Sequence, residues 1–183
     1  MIRHEKLTPS QTREQGDLGM PSIPLRRKFL DNNWIPDDLW AQVKRYMPIP
    51  CMDVIVEDSK GEMLLGWRQI LPYRNVWALP GGRVGKGEPL QAASERILAE
   101  YGLSTRQLFL VGVFPIKFPS RSDLSVCLAA KHPTGKATPD GIEFSSFRWT
   151  RKLPTRTGAN YKQMIAQWNK MKHNPQLLRF SRL

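Results

Sequence analysis

Two cysteines in 183 residues are too few for a disulfide framework, and Cys51 and Cys127 stand too far apart for a thiolate metal knuckle. Both sit inside apolar stretches and read as buried free thiols, with a redox pair as the alternative. No apolar run approaches the length needed to span a bilayer, and the polar start MIRHEKLTPSQTREQGDLG has no apolar core of a signal peptide. The expectation is therefore a cytoplasmic protein without a membrane partner. Acidic residues are also scarce: 16 Asp and Glu face 28 Lys and Arg, a net charge of +12. Residues 151–183 carry eight Lys and Arg and no acid, so this segment supplies +8 of that total. A basic end of this kind fits a polyanionic substrate or partner, or simply a solvated basic face.

Hydropathy and turn chemistry divide the rest. Residues 1–22 read as a flexible tail in which Met20, after Gly19, is a second candidate start; residues 23–183 read as one domain. The stretch 36–46 has helical periodicity. Pro36 and the acids Asp37 and Asp38 are at its beginning, Leu39, Val43 and Tyr46 share a face, and Pro48 and Pro50 stop it. Strands are expected over 51–57, 62–67, 77–79, 107–118, 124–130 and 144–149, with a turn at Asp58-Ser59-Lys60-Gly61. A helix is expected over 89–101, stopped by Gly102, and a basic amphipathic helix over 160–172. This order of strands and helices predicts an α/β fold, a mixed sheet with helices on its faces.

The chemistry concentrates in 77–103, WALPGGRVGKGEPLQAASERILAEYGL. Four glycines, Gly81, Gly82, Gly85 and Gly87, precede the helix and permit irregular backbone that can approach a ligand closely. A carbonyl freed from sheet pairing there can coordinate a hard cation. On the helix, Glu88, Ala92, Arg96 and Glu100 recur every fourth residue and drift only about 40° per step, close to one stripe. Leu90, Ala93, Ile97 and Tyr101 form the opposing apolar face. Oxygen ligands beside a pocket suit Mg²⁺ or Mn²⁺, with substrate phosphate completing the shell. Taken without the glycine loop, the same helix is an ordinary amphipathic one with an exposed Arg-Glu pair.

Loop and helix together resemble the Nudix box. Gly82, five residues, Glu88, seven residues and Arg96 match its spacing, and Glu100, Gly102 and Leu103 supply its end. Trp77-Ala78-Leu79-Pro80 matches the usual approach to the box. Three departures stand out: Ile97 replaces the Glu after the Arg, one late Glu remains, and the helix end is one residue short. Within the family, 47–68 and 80–96 resemble the GDP-mannose mannosyl hydrolase-like members, which share the first two departures. The likeness covers roughly 36–149.

The resemblance implies a Nudix fold and a Mg²⁺-dependent hydrolase of a nucleoside diphosphate-linked small molecule, a nucleotide sugar such as GDP-mannose. It implies metal ligands at the Gly81 carbonyl, Glu100 and Glu143, with Glu88, on the same stripe, as a further metal ligand. Arg68 and Arg83 would hold diphosphate or stabilise its developing charge, Arg83 thereby acting in catalysis, Arg96 would act at the reacting group or orient Glu100, and Asp53 would lie near nucleotide or sugar. Tyr73 and Trp77 could stack on a base, Trp77 alternatively being core. Lys117 and Arg121 could contact phosphate or be plain surface charges. The same members need a histidine just after the third ligand, and this chain has Phe144 there; its histidines are His4, His132 and His173. Glu143 then becomes base or metal ligand, and water attack at phosphorus stands beside attack at carbon. Two alternatives remain: a non-catalytic nucleotide- or RNA-binding module, and a pyrophosphohydrolase of non-sugar nucleotides. The resemblance also implies a homodimer through the N-terminal region, with Trp34 and Trp40 as contacts or as core.

Overall fold

The computed structural model describes residues 35–174. The tail 1–22, Met20, His4, Trp34, Arg179 and Arg182 lie outside the described residues. Among the described residues, no helix is long and apolar enough to cross a membrane.

Helix α1, Asp37–Tyr46, opens after Pro36 and has two acids in its first turn and two bases in its last, both favourable to its dipole. None of its residues is buried. Leu39 and Tyr46 remain exposed, so the expected apolar stripe faces outward. Its contact with the body that follows is Trp40, whose ring lies 4.2 Å from the Arg83 guanidinium.

The strands are β1 (Ile49–Glu57), β2 (Met63–Arg68), β3 (Val76–Ala78), β4 (Gly81–Arg83), β5 (Leu103–Ser104), β6 (Gln107–Lys117), β7 (Ser122–Lys131), β8 (Thr134–Gly135) and β9 (Phe144–Thr150). Helices α2 (Leu90–Glu100) and α3 (Ala159–Met171) complete the body. The main sheet runs β3-β2-β1-β7-β6, with β4 on β1 and β9 on β2. β1 and β7 are parallel and the other pairings antiparallel, so the sheet is mixed as the element order predicts. β1 and β2 meet only at Glu57 and Met63, then diverge. β1 starts two residues earlier than its hydropathy suggests because Ile49 and Pro50 align with Asp123 and Leu124 of β7. The β1–β2 turn closes on Asp58, whose carboxylate accepts from the amides of Lys60 and Glu62, with Gly61 at φ +75°.

The helices cover opposite faces. α2 turns Ala93, Ile97 and Leu98 inward, followed by Tyr101, and a Cβ on Gly82 would touch Ile97. α3 turns Tyr161, Met164, Ile165 and Trp168 toward the other face. Full burial of one such large side chain contributes roughly 1.5–3 kcal/mol. A polar tie reinforces α3: Trp168 Nε1 donates to Glu57 Oε2 at 2.8 Å, and Lys172 Nζ reaches the same oxygen at 3.0 Å. Lys172, one of the basic C-terminal residues, thus compensates a buried carboxylate rather than serving only as a solvated charge. Gly102 ends α2 at φ +72°, where any larger residue would be strained and would press on the Lys136 carbonyl.

Candidate functional site

The glycine entry loop is not an open turn. Gly81–Arg83 form β4 and pair with Cys51–Asp53 of β1. The flanking bonds, Val54 N–H to the Pro80 carbonyl at 2.8 Å and Val84 N–H to the Pro50 carbonyl at 3.0 Å, fix which residues point at β1. Antiparallel pairs alternate, so Met52 and Gly82 exchange bonds while Gly81 and Asp53 do not. The Gly81 carbonyl therefore faces away from β1, in the plane of the sheet. Only glycine fits there: a Cβ would lie 2.6 Å from Asp53 Oδ1 and 2.8 Å from the Met52 carbonyl.

Arg96, one turn before the end of α2, ties loop to helix. Its Nε and Nη2 donate to the two oxygens of Glu88 at 2.8 and 2.9 Å, and Nη2 also reaches the Arg83 carbonyl at 2.9 Å. Glu88 Oε2 further accepts from the Gly85 amide at 2.8 Å. The hydrogen bonds from Arg96 hold the Glu88 carboxyl below its usual range, and the same contacts raise Arg96. Arg96 Nη1 extends to Glu100 Oε1 at 3.4 Å. Arg96 and Glu88 thus form a brace that sets the loop and points Glu100. Arg83, the other basic residue of this group, lies over Trp40.

A second group lies along β1 on the α3 side. Asp53 is 8% exposed and accepts a hydrogen bond from the Ser125 hydroxyl. Burial pushes its carboxyl up to about 6; Ser125 and Arg68 pull it down, and Glu143 and Asp123 push it up. Arg68 Nη1 donates to Glu143 Oε1, and Glu143 is itself buried. Burial disfavours the Arg68 charge, but Glu143, Tyr161 and Asp53 outweigh it and raise the guanidinium. The loop before β9 is pinned by Asp140, whose Oδ1 accepts from the Ile142, Glu143 and Phe144 amides. Tyr73 joins through an edge-on contact with Phe118 and a tilted one with Tyr161, at 5.1 and 5.7 Å between ring centres.

The predicted residues therefore fall into two neighbouring sets, Gly81, Arg83, Glu88, Arg96 and Glu100 in one, and Asp53, Arg68, Tyr73 and Glu143 in the other. Gly81 beside Asp53 is where the sets meet. Trp77 packs edge-on against Trp67 in the core rather than joining either set. Lys117 is exposed, whereas Arg121 pairs with Asp123. Phe144 is fully buried against Tyr101 and Phe147. Asp123 and Ser125 were not expected in a site. Their signal is the alternation Asp123, Ser125, Cys127 along β7, one face of a strand parallel to Cys51 and Asp53.

Both thiols share that face. Cys51 is pushed up to about 12 by burial and by Asp123 and Asp53, and Cys127 is pushed up chiefly by burial. The native protein at pH 8 should take no iodoacetamide adduct over an hour by intact mass. In denaturant both cysteines should react, because only the thiolate alkylates. Fast native modification of either would contradict this environment.

All the candidate metal donors are oxygens: the outward Gly81 carbonyl, Glu100 and Glu143. Among the described residues there is no cluster of three metal-binding side chains. Oxygen donors of this kind are the chemistry that a hard cation takes when main-chain oxygen and phosphate complete its shell.

Comparison with known proteins gives a consistent picture. The sequence profile of the NUDIX domain matches residues 47–159. The low-salt glycan biosynthesis protein Agl8 of Haloferax volcanii is 38% identical over 66 residues, which are 36% of this chain and 42% of that protein. The chain thus spans less than half the length of that relative. A Bacillus subtilis protein named "Putative 8-oxo-dGTP diphosphatase" is 32% identical over 115 residues, 61% of this chain and 74% of that one. The crystal structure of a MutT NUDIX hydrolase from Burkholderia pseudomallei superposes with a TM-score of 0.62 at 20% identity, covering 66% of this chain and 98% of that one.

Proposed function

The chain belongs to the Nudix family, a Nudix hydrolase of nucleoside diphosphate derivatives, and from that premise we propose that its substrate is a nucleotide sugar of the GDP-mannose kind, cleaved with Mg²⁺. The observation that supports this reading is the Gly81 carbonyl facing away from β1, left unpaired with that strand, in a loop that the Arg96 brace ties through Arg83 and Glu88 to the helix carboxylate Glu100. The partial likeness to a glycan biosynthesis protein supports a sugar-linked nucleotide.

In this reading Gly81, Glu100 and Glu143 hold the cation, with Glu88 orienting the loop through Arg96. The cation, when bound, neutralises phosphate charge and acidifies water. Arg83 reaches the diphosphate by leaving its stack on Trp40. Arg68 positions Glu143, and Asp53 and Tyr73 line the nucleoside or sugar.

Attack at phosphorus is favoured over attack at carbon by one observation: the residue after Glu143 is a fully buried phenylalanine, so no imidazole stands there to serve as base. His132 follows the far end of β7 from Asp123, where its amide bonds to the Glu57 carbonyl. Glu143 is then the carboxylate available to orient water. A panel of nucleotide sugars with Mg²⁺ in ¹⁸O-water, read by phosphorus NMR, should yield nucleoside monophosphate plus sugar phosphate, with ¹⁸O on one phosphate. Nucleoside diphosphate plus free sugar would instead establish carbon attack, and no hydrolysis of any member would remove the nucleotide-sugar reading.

A further inference from the structure

We propose that the basic surface made by α3 and the chain leading into it binds a single-stranded nucleic acid along its phosphates. This surface stands apart from the residues assigned to hydrolysis, and its role does not depend on that reaction.

From Phe144 to Asn174 the chain carries no Asp or Glu. Within that stretch Arg148, Arg151, Lys152, Arg156, Lys162 and Lys170 are exposed, and none forms a salt bridge with an acid among the described residues. A carboxylate that α3 does meet, Glu57, is taken up by Trp168 and Lys172. Like charges kept together without counter-charge repel one another, so they add nothing to the stability of the fold. A polyanion removes that cost and releases its own counterions on binding.

These cations are joined in space. At the start of α3, Lys162 Nζ reaches the Thr155 carbonyl at 3.4 Å, beside Arg156. Arg156 in turn lies over Trp67 of β2. On β9, Ser146 is level with Trp67 and Arg148 with Leu65, so Arg148 shares the Trp67 face, two residues along. At the other end of α3, Lys172 reaches Glu57, the last residue of β1. The turn that follows carries Lys60, whose carbonyl accepts from Arg151 Nη2 at 2.8 Å. The charges therefore form a band that runs the length of α3, about 20 Å for its 13 residues, and returns along the segment from β9.

The partner's chemistry follows from what lies between the cations. Arg156 sets its guanidinium 5.5 Å over the half-buried Trp67 ring, which meets Trp77 edge-on. A guanidinium stacked on an aromatic ring presents a second flat face, and a nucleobase extends such a stack. A free strand suits this better than a duplex, whose paired bases are closed to stacking from a surface side chain. A lipid surface is the poorer fit. The exposed side of α3 carries Lys162, Gln163, Ala166, Asn169, Lys170 and His173, with no large apolar side chain to sink below the headgroups. An acidic protein would meet the cations but leave the flat stack unused.

The test titrates the full chain, in EDTA, into a fluorescein-labelled oligouridylate of about 20 nucleotides and reads anisotropy from about 50 to about 300 mM KCl. Contact with about four phosphates predicts that log K falls against log salt with a slope of about −3. Lys162→Gln/Lys170→Gln removes two exposed charges from α3 and should lessen that slope by about 1.4, leaving any nucleotide turnover unchanged. Arg156→Lys keeps the charge and loses the flat face, so affinity should drop about fivefold or more at an unchanged slope. A wild-type slope shallower than about −1, or the same slope in the double variant, would overturn the surface. Equal affinity in Arg156→Lys would overturn the nucleic-acid assignment. So would displacement of the oligonucleotide by polyglutamate or phosphatidylserine vesicles as readily as by unlabelled strand. The wild-type salt series and these competitions decide the question even if a variant does not fold.

Discussion

Replacing Glu100 by Gln is expected to lower Mg²⁺-dependent turnover by about a hundredfold or more while leaving the unfolding transition in EDTA within a few degrees of wild type. Gln keeps the length and shape of the side chain, and its carbonyl can still accept from Arg96, whose contact at 3.4 Å is the longest in the brace. What it loses is a formal charge on a proposed cation ligand. In the proposed site only two other groups supply oxygens, so this is a large share of the field that holds the cation. A ligand charge of this kind contributes several kcal/mol at the transition state, and each 1.4 kcal/mol is a factor of ten. Glu88→Gln should behave differently. Its two oxygens receive Arg96 and the Gly85 amide, so its loss slackens the loop and lowers stability together with activity. Measuring turnover against Mg²⁺ concentration separates the two: Glu100→Gln should shift the midpoint upward. Turnover by Glu100→Gln equal to wild type would dispose of the proposed cation site.

The parts of this site that could be read in advance are those written as spacing along one element. Arg96 and Glu100 share a helix stripe, so periodicity places them together, and the apolar face with Ala93, Ile97 and Tyr101 packs inward as that period requires; Glu88, expected on the same stripe, instead lies two residues before α2 and meets Arg96 from the entry loop. Gly102 is legible because a helix end asks for positive φ. Contacts between distant strands are another matter. That Gly81–Arg83 would pair with Cys51–Asp53 follows from no local preference, since two glycines have weak strand propensity and register comes from the partner. The two-residue ladder between β5 and β8 is equally invisible for its shortness. Arg68 and Glu143 are 75 residues apart in sequence, and only the β2–β9 pairing brings them together. The resemblance pointed to each residue singly but not to their mutual pairing. Asp123 escaped because one acid at a strand edge is indistinguishable from a surface charge until the strand beside it is known. The period of α1 is helical as read, yet Leu39 and Tyr46 on its stripe are exposed.

Asp53→Asn should stabilise the protein at pH 8, by an amount that disappears as the pH falls to about 4. Burial raises the Asp53 carboxyl from its ordinary 3.8 to about 6. The folded chain therefore holds this proton more tightly than the unfolded one. The stability that proton confers is fully present below about 3.8 and is lost as the pH rises through about 6. Two pKa units correspond to about 3 kcal/mol, so wild type carries a penalty of that order at pH 8 in EDTA. Asn does not titrate, and its carbonyl can accept the hydroxyl of Ser125, which now bonds to Asp53. Arg68 would lose one neighbouring acid but keep Glu143. Allowing for that loss, a gain of about 2 kcal/mol is expected, several degrees in Tm. Thermal unfolding of both proteins in EDTA across pH 4–8 measures it, and a wild-type-to-variant difference that stays constant over that range would refute the assignment. The same substitution should depress turnover, since the charge that burial penalises lies beside the Gly81 turn, where substrate and cation would stabilise it. A fold that keeps a costly carboxylate beneath the proposed ligand site would trade stability for function, and the trade would be confined to one residue whose cost can be titrated away.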